Sequence, residues 1–316
     1  MISVIYLSVC VAMMASASVL GVPELPILVY TSALLVAGLG VPHGGLDHWT
    51  GRRLLEHRFR GHWWVVFFPA YLATGFVVAV SWIAFPALTV VLFFVLSAWH
   101  FGREDQHYST KVLDGTTSFS LMTQVSAVAL GGLVIWVPAL VRPGELQTLL
   151  TLILPSSGAS EAGQVVWLTE AVARVMCPIA GLVVLFQLVL NGRDLKAWVP
   201  FATVVISASM PILVSFTAYF CFWHSIIGLQ RLRNEEGLTG RQFVVATMPL
   251  SAVAVAGVVG LSWLYRNSLA GAKIDLVPAS LQTLFIGLSA IAVPHLLLHQ
   301  WADAVRGKIR RATMPC

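Results

Sequence analysis

Charge is what this 316-residue chain has least of: Asp, Glu, Lys and Arg make up 10% of it, while 58% is hydrophobic. Soluble domains carry about 25% charged and about 45–50% apolar residues. The deficit excludes a soluble globular enzyme and a disordered tail, because too few charges exist to cover a water-facing surface. The four cysteines form no C-x-x-C pair; Cys10, Cys177 and Cys221 lie in apolar runs and Cys316 ends the chain. That excludes a zinc finger, a redox pair and a disulfide scaffold, and leaves the cysteines as small buried hydrophobes. A phosphate-binding glycine loop, G-x-S-x-G and H-E-x-x-H are also missing, which removes the usual nucleotide, serine-hydrolase and zinc-protease readings. The net charge of +5 implies no nucleic acid, since basic residues collect in the cytoplasmic loops of membrane proteins. The basic cluster Arg306 to Arg311 suits contact with anionic lipid headgroups.

What the chain does have is apolar runs of the length that crosses a hydrocarbon core about 30 Å thick. The expected fold is therefore all-α, a polytopic transmembrane helix bundle forming one integral membrane domain over residues 1–316. Ten segments are predicted, at about 2–21, 26–42, 64–82, 86–101, 119–141, 163–190, 198–209, 211–230, 243–264 and 280–301. The first resembles a signal-peptide core but lacks a basic leader. The seventh is short and bracketed by Pro200 and Pro211, as expected of a segment packed inside the bundle. With ten crossings, Arg52, Arg53, Arg58, Arg60, Arg103, Lys111, Arg193, Lys196, Arg231, Arg233, Arg241 and the basic tail share one side. The positive-inside rule makes that side cytoplasmic and predicts five helical hairpins with both termini there, in the inner membrane. Pro155–Gly163 reads as a loop on the far side.

Nine histidines are many for so apolar a chain. His57, His62 and His107 lie in charged sequence and read as solvated. His43, His100, His224, His295 and His299 instead fall late in even-numbered segments, at similar depth on the cytoplasmic side. Ionisable groups inside a membrane are costly and by default functional. Neutral imidazoles without thiolates suit non-haem iron, copper or zinc. His295 and His299 share a helix face. Asp47 follows His43 by four residues and Asp105 follows His100 by five, so both are candidates to orient ligand rings. Pairing of Asp47 or Glu104 with nearby arginines is the competing reading. Trp99, Phe101, Tyr219, Phe222 and Trp223 cluster near these motifs. They are candidates to line a site for an elongated apolar substrate from the bilayer, although interfacial belts have the same composition.

Two classes of function stay open on the residues alone. One is an enzyme with a histidine-ligated metal acting on an elongated apolar substrate from the bilayer. The other is a non-catalytic membrane transporter, or a protein that handles the same apolar molecule, with structural or proton-carrying histidines.

The segments Pro42-His-Gly-Gly-Leu-Asp-His48, Ser97-Ala-Trp-His-Phe-Gly-Arg-Glu-Asp105, Trp223-His-Ser225 and Pro294-His295 resemble the signatures of a known family, in its order. That family is the Brp/Blh group of membrane β-carotene 15,15′-dioxygenases. The resemblance implies a non-haem Fe(2+) enzyme that uses dioxygen to cleave β-carotene into two retinal molecules, with a functional link to a rhodopsin-type protein. By motif position it carries the iron ligands over to His43, His100 and His224. The family pattern places a further histidine one turn after the third; here that position is Gly228, with His299 or His295 as replacements from the last segment.

Overall fold

The computed structural model describes residues 1–109, 121–154, 158–268 and 276–313. Among them the chain is helical, without a strand. Its helices are α1 (Ile2–Leu20), α2 (Leu25–Leu35), α3 (Asp47–Phe59), α4 (Trp63–Ala84), α5 (Pro86–Ser109), α6 (Leu121–Gly131) and α7 (Leu133–Val141). There follow α8 (Pro143–Ile153), α9 (Gly158–Asn191), α10 (Trp198–Ser209), α11 (Ile212–Tyr219), α12 (Ser225–Glu235), α13 (Gly240–Ser268) and α14 (Leu276–Thr313).

Each of the ten predicted segments is helical, but the count of ten crossings is not reproduced. Seven helical stretches are long and apolar enough to cross a membrane, or up to eight if α6 and α7, bent by 59°, form one broken span. The segments fall short for a physical reason: α10 has only 12 residues, and the stretch from α2 to α4 runs on through short helical turns. The predicted loop at Pro155–Gly163 is also shorter than expected, because α9 begins at Gly158; residues 155–157 lie outside the described residues. The charged stretch after segment two is helix α3. His57 and His62 are exposed, as predicted, and the side chain of His107 lies outside the described residues.

Large apolar side chains point outward from α4 (Leu72, Phe76, Val77, Ile83), α9 (Leu182, Leu185, Phe186, Val189, Leu190) and α13 (Val245, Val253, Val259). A water-soluble protein rarely exposes such continuous apolar surface. Lipid satisfies it here, so the chain is a multi-pass membrane protein.

Between the helices the bundle uses a few buried hydrogen bonds. Trp82 Nε1 donates to Ser289 Oγ (2.7 Å), tying α4 to α14. Thr217 Oγ1 donates to Ser32 Oγ (2.9 Å), tying α11 to α2. The break between α10 and α11 leaves backbone groups that the α8 region satisfies. The Arg142 guanidinium donates to the Ser209 carbonyl (2.8 Å) and Glu145 Oε1 accepts the Ile212 N–H (2.8 Å).

The contact of α5 with α6 aligns the helix that carries His100. There a Cβ on Gly102 would lie 1.8 Å from the Ala127 carbonyl oxygen, and one on Gly131 would lie 2.1 Å from that of Ala98. Only glycine lets the two backbones approach so closely. Gly102→Val is expected to destabilise the protein by about 3 kcal/mol or more, the upper end of overpacking effects. Thermal unfolding in detergent checks this, with the exposed Leu121→Ala as a control expected to stay within about 0.5 kcal/mol.

Candidate metal centre

Local backbone irregularity sets the site. After α2 the chain makes a π turn (Val36–Gly40) and a 3-10 turn (Val41–Gly44) before α3 begins at Asp47. Pro42 sits in the first positions of its turn, where its missing N–H costs nothing. The turn lets His43 Nδ1 donate to the Gly40 carbonyl. That bond fixes the ring and leaves Nε2 free. Gly45 is where the chain presses on α13; a Cβ there would meet the Thr247 carbonyl oxygen at 2.8 Å. A second π turn, Phe220–His224, joins α11 to α12 and carries His224. Single π turns recur at functional sites because they re-aim side chains within a helix.

Three of the five singled-out histidines gather directly. His43, His100 and His224 each present a ring nitrogen, and these nitrogens lie within 4.8 Å of one another. The ring centroids of His100 and His224 are 5.0 Å apart, and those of His43 and His224 are 5.5 Å apart. His100 and His224 are buried. His100 Nε2 and His224 Nδ1 have no hydrogen-bond partner. An unpaired buried polar atom costs about 1–3 kcal/mol, so two of them aimed into one small volume fit a ligand absent from the polypeptide. Three neutral nitrogen donors are a donor set for iron, copper or zinc.

His295 stands beside this group, its ring 4.8 Å from His43 and 5.7 Å from His100. Its nitrogens nevertheless fall into a second group, with Asp47 and His299. His295 Nδ1 lies 2.9 and 3.0 Å from the two Asp47 oxygens, and His299 Nε2 lies 3.3 Å from Oδ1. The Tyr71 hydroxyl donates to Asp47 Oδ2 at 2.6 Å. Asp47 therefore meets His295 and His299, not His43, and does not pair with Arg52 or Arg53, which bind Glu56 and Glu236. Asp105 is not aimed at a histidine: its Oδ2 accepts from the Tyr219 hydroxyl at 2.9 Å. Glu104 occupies the place one turn beyond His100 and pairs with Arg231 at 2.7 Å.

Two kinds of space meet at the histidines. On the side of the residues preceding each histidine lies an apolar chamber walled by Phe93, Phe101, Phe216, Phe220 and Leu288. It adjoins a second apolar space between α5, α8 and α11, and Phe93, Ser97, Phe101 and Phe216 line both. On the side of the residues that follow lies a polar space with Glu104, Gly228, Arg231, Glu235 and His299.

Of the five aromatic residues expected to line the site, Phe101 does so. Trp99 is turned to α6, where its Nε1 donates to Gln124 at 2.9 Å. Tyr219, Phe222 and Trp223 pack in the core, Trp223 with its ring 5.8 Å from Tyr6. Helical spacing accounts for the residues that do line it: Phe216, Phe220 and His224 are four apart and share a face. Phe93 stands seven before His100 for the same reason. That spacing was the available signal for the missed residues Phe93, Phe216 and Phe220.

Gly228 faces the cluster, and a Cβ there would stand 3.6 Å from His43 Cβ and Cδ2, an ordinary contact. Gly228→His is accordingly expected to fold and to hold added Fe(2+) about tenfold more tightly, near 1.4 kcal/mol. Iron retention through gel filtration against a chelator series measures this.

These features define a class: a helical membrane protein with a buried imidazole cluster between an apolar chamber and a polar pocket. The sequence places it further. A family model described as beta-carotene 15,15′-dioxygenase matches residues 34–303, and the chain belongs to that family. It is 24% identical over 271 residues to the beta-carotene 15,15′-dioxygenase of uncultured marine bacterium 66A03, covering 84% of this chain and 90% of that protein. It is 23% identical over 332 residues to the probable beta-carotene 15,15′-dioxygenase Blh of Halobacterium salinarum, covering 95% and 91%. No solved structure matches the chain.

Proposed function

We propose that this protein cleaves β-carotene at its central double bond with dioxygen, yielding two retinal molecules, and that His43, His100 and His224 hold the Fe(2+) required. The observation that carries this reading is the convergence of two unpartnered buried nitrogens, His100 Nε2 and His224 Nδ1, with His43 at the end of an apolar chamber. Family membership and the names of the two relatives support the substrate. Held by these histidines, iron would supply the activation of dioxygen.

The chain's own residues do the rest. Phe93, Phe101, Phe216, Phe220 and Leu288 form a wall that accepts a polyene from the bilayer and excludes water. Their fixed rings hold the polyene against the histidine cluster, which converts an encounter between substrate and oxidant into a positioned one. The carbonyl of Gly40 orients the His43 ring. The balance is one carotene and one dioxygen to two aldehydes, so no protein acid, base or external reductant is required. The positive-inside reading of the basic loops supports a cytoplasmic side for the polar pocket and an inner-membrane location. Retinal is the chromophore of microbial rhodopsins, which is the functional link the resemblance implies.

Expression in a β-carotene-producing bacterium, with retinal quantified by chromatography, tests the reading. Loss of orange colour with two retinals per carotene is the expected result. Unchanged carotene in cells holding properly inserted, iron-loaded protein would reject it in favour of another isoprenoid.

A further inference from the structure

Four helical segments bring chemistry to the centre in two layers. The first layer is His43, His100, His224 and His295. One turn later, on three of the same segments, stand Asp47, Glu104 and His299. Iron at the first three histidines leaves His295, Asp47 and His299 outside its donor set.

We infer that Asp47, His295 and His299 hold a second metal ion beside the first. Their donor atoms lie within 4.8 Å of one another. Two histidines and one carboxylate are the donor set of open-sided non-haem Fe(II) sites. Ligands 2.0–2.2 Å from a metal are separated by about 2.8–3.6 Å along the edges of an octahedral or tetrahedral shell. The distances of 2.9, 3.0 and 3.3 Å from Asp47 to the two imidazoles fall near that range. His295 Nδ1 is nearly equidistant from both carboxylate oxygens, whereas a single N–H is best directed at one of them.

A separate observation is electrostatic. Asp47 is 2% exposed, and among the described residues its ion-pair partners are the imidazoles of His295 and His299, with no lysine or arginine beside it. A buried carboxylate needs a paired charge or a metal to offset the loss of water. Tyr71 holds Oδ2 from the far side and so aims the carboxylate at the two histidines, the usual support for a ligating carboxylate. The His43 and His295 rings, 4.8 Å apart, bring the two groups into contact. In two-metal sites the ions stand about 3.5–4 Å apart.

The inference rests on the iron reading above and is separable from it. Purified full-length protein in detergent is loaded anaerobically with Fe(2+) alone, and bound iron per chain is counted after gel filtration. Two equivalents are expected for the wild type, with two ferrous environments of equal area in the Mössbauer spectrum. Asp47→Asn and His299→Gln are each expected to retain one equivalent and a single environment. His299 is partly exposed, so its variant keeps the test informative where Asp47→Asn fails to fold. Saturation of the wild type at one equivalent overturns the second site and leaves the first intact. Two equivalents retained in either variant overturns it as well. No iron in the wild type overturns both readings.

Discussion

His100→Ala and His224→Ala are each expected to strip the first iron from the protein and to lower carotene cleavage at least ~1,000-fold, about 4 kcal/mol of transition-state stabilisation. Both side chains are buried, and each holds a nitrogen without a protein partner. Neither makes a hydrogen bond whose loss would unfold the bundle. Alanine at these positions leaves a small apolar void at the end of a chamber already present, so the protein is expected to insert and fold. Metal analysis and retinal yield on the same preparations check the prediction. The exposed His57→Ala and His62→Ala serve as controls expected to change neither quantity. Wild-type iron in both His100→Ala and His224→Ala would remove the metal centre from this triad.

Ser97→Trp is expected to leave iron in place and to reduce β-carotene cleavage by ~100-fold or more, about 2.7 kcal/mol. Ser97 lines both apolar spaces, along with Phe93, Phe101 and Phe216. It is the smallest side chain at that junction. An indole there closes the passage, while the histidine nitrogens one turn further on keep their positions. Ser97→Ala, which opens the junction slightly, is expected to stay within a few-fold of the wild type. Parallel assays of bound iron and retinal release decide the matter. Full-rate cleavage by well-folded Ser97→Trp would show that the substrate does not use the connection between the two spaces.

The sequence by itself determined the class of molecule. With 10% charge, apolar faces had nowhere to go but lipid, and ten apolar runs became ten helical segments. It also singled out five histidines for placement together. Five imidazoles in apolar sequence had to find partners or a ligand, and four of them line the central chamber, with His299 one turn beyond. The motifs around His43, His100 and His224 were enough to assign the family.

Tertiary structure alone decided the rest. Asp47 and Asp105 looked alike in sequence, each soon after a histidine. The turn between His43 and α3 brought Asp47 to His295 and His299, whereas Asp105, on the same helix as His100, faces Tyr219. Which aromatics line the chamber depended on helix phase, and two π turns shift that phase at Val36–Gly40 and Phe220–His224. Hydropathy counts residues along one strand of chain and has no term for such a turn, or for a bend like the 59° between α6 and α7. The same limit explains why the count of ten crossings is not reproduced. The division of the histidines into a group of three and a group built on Asp47 joins residues up to 252 positions apart. Only the packing of α14 against α3 and α4 brings those residues together.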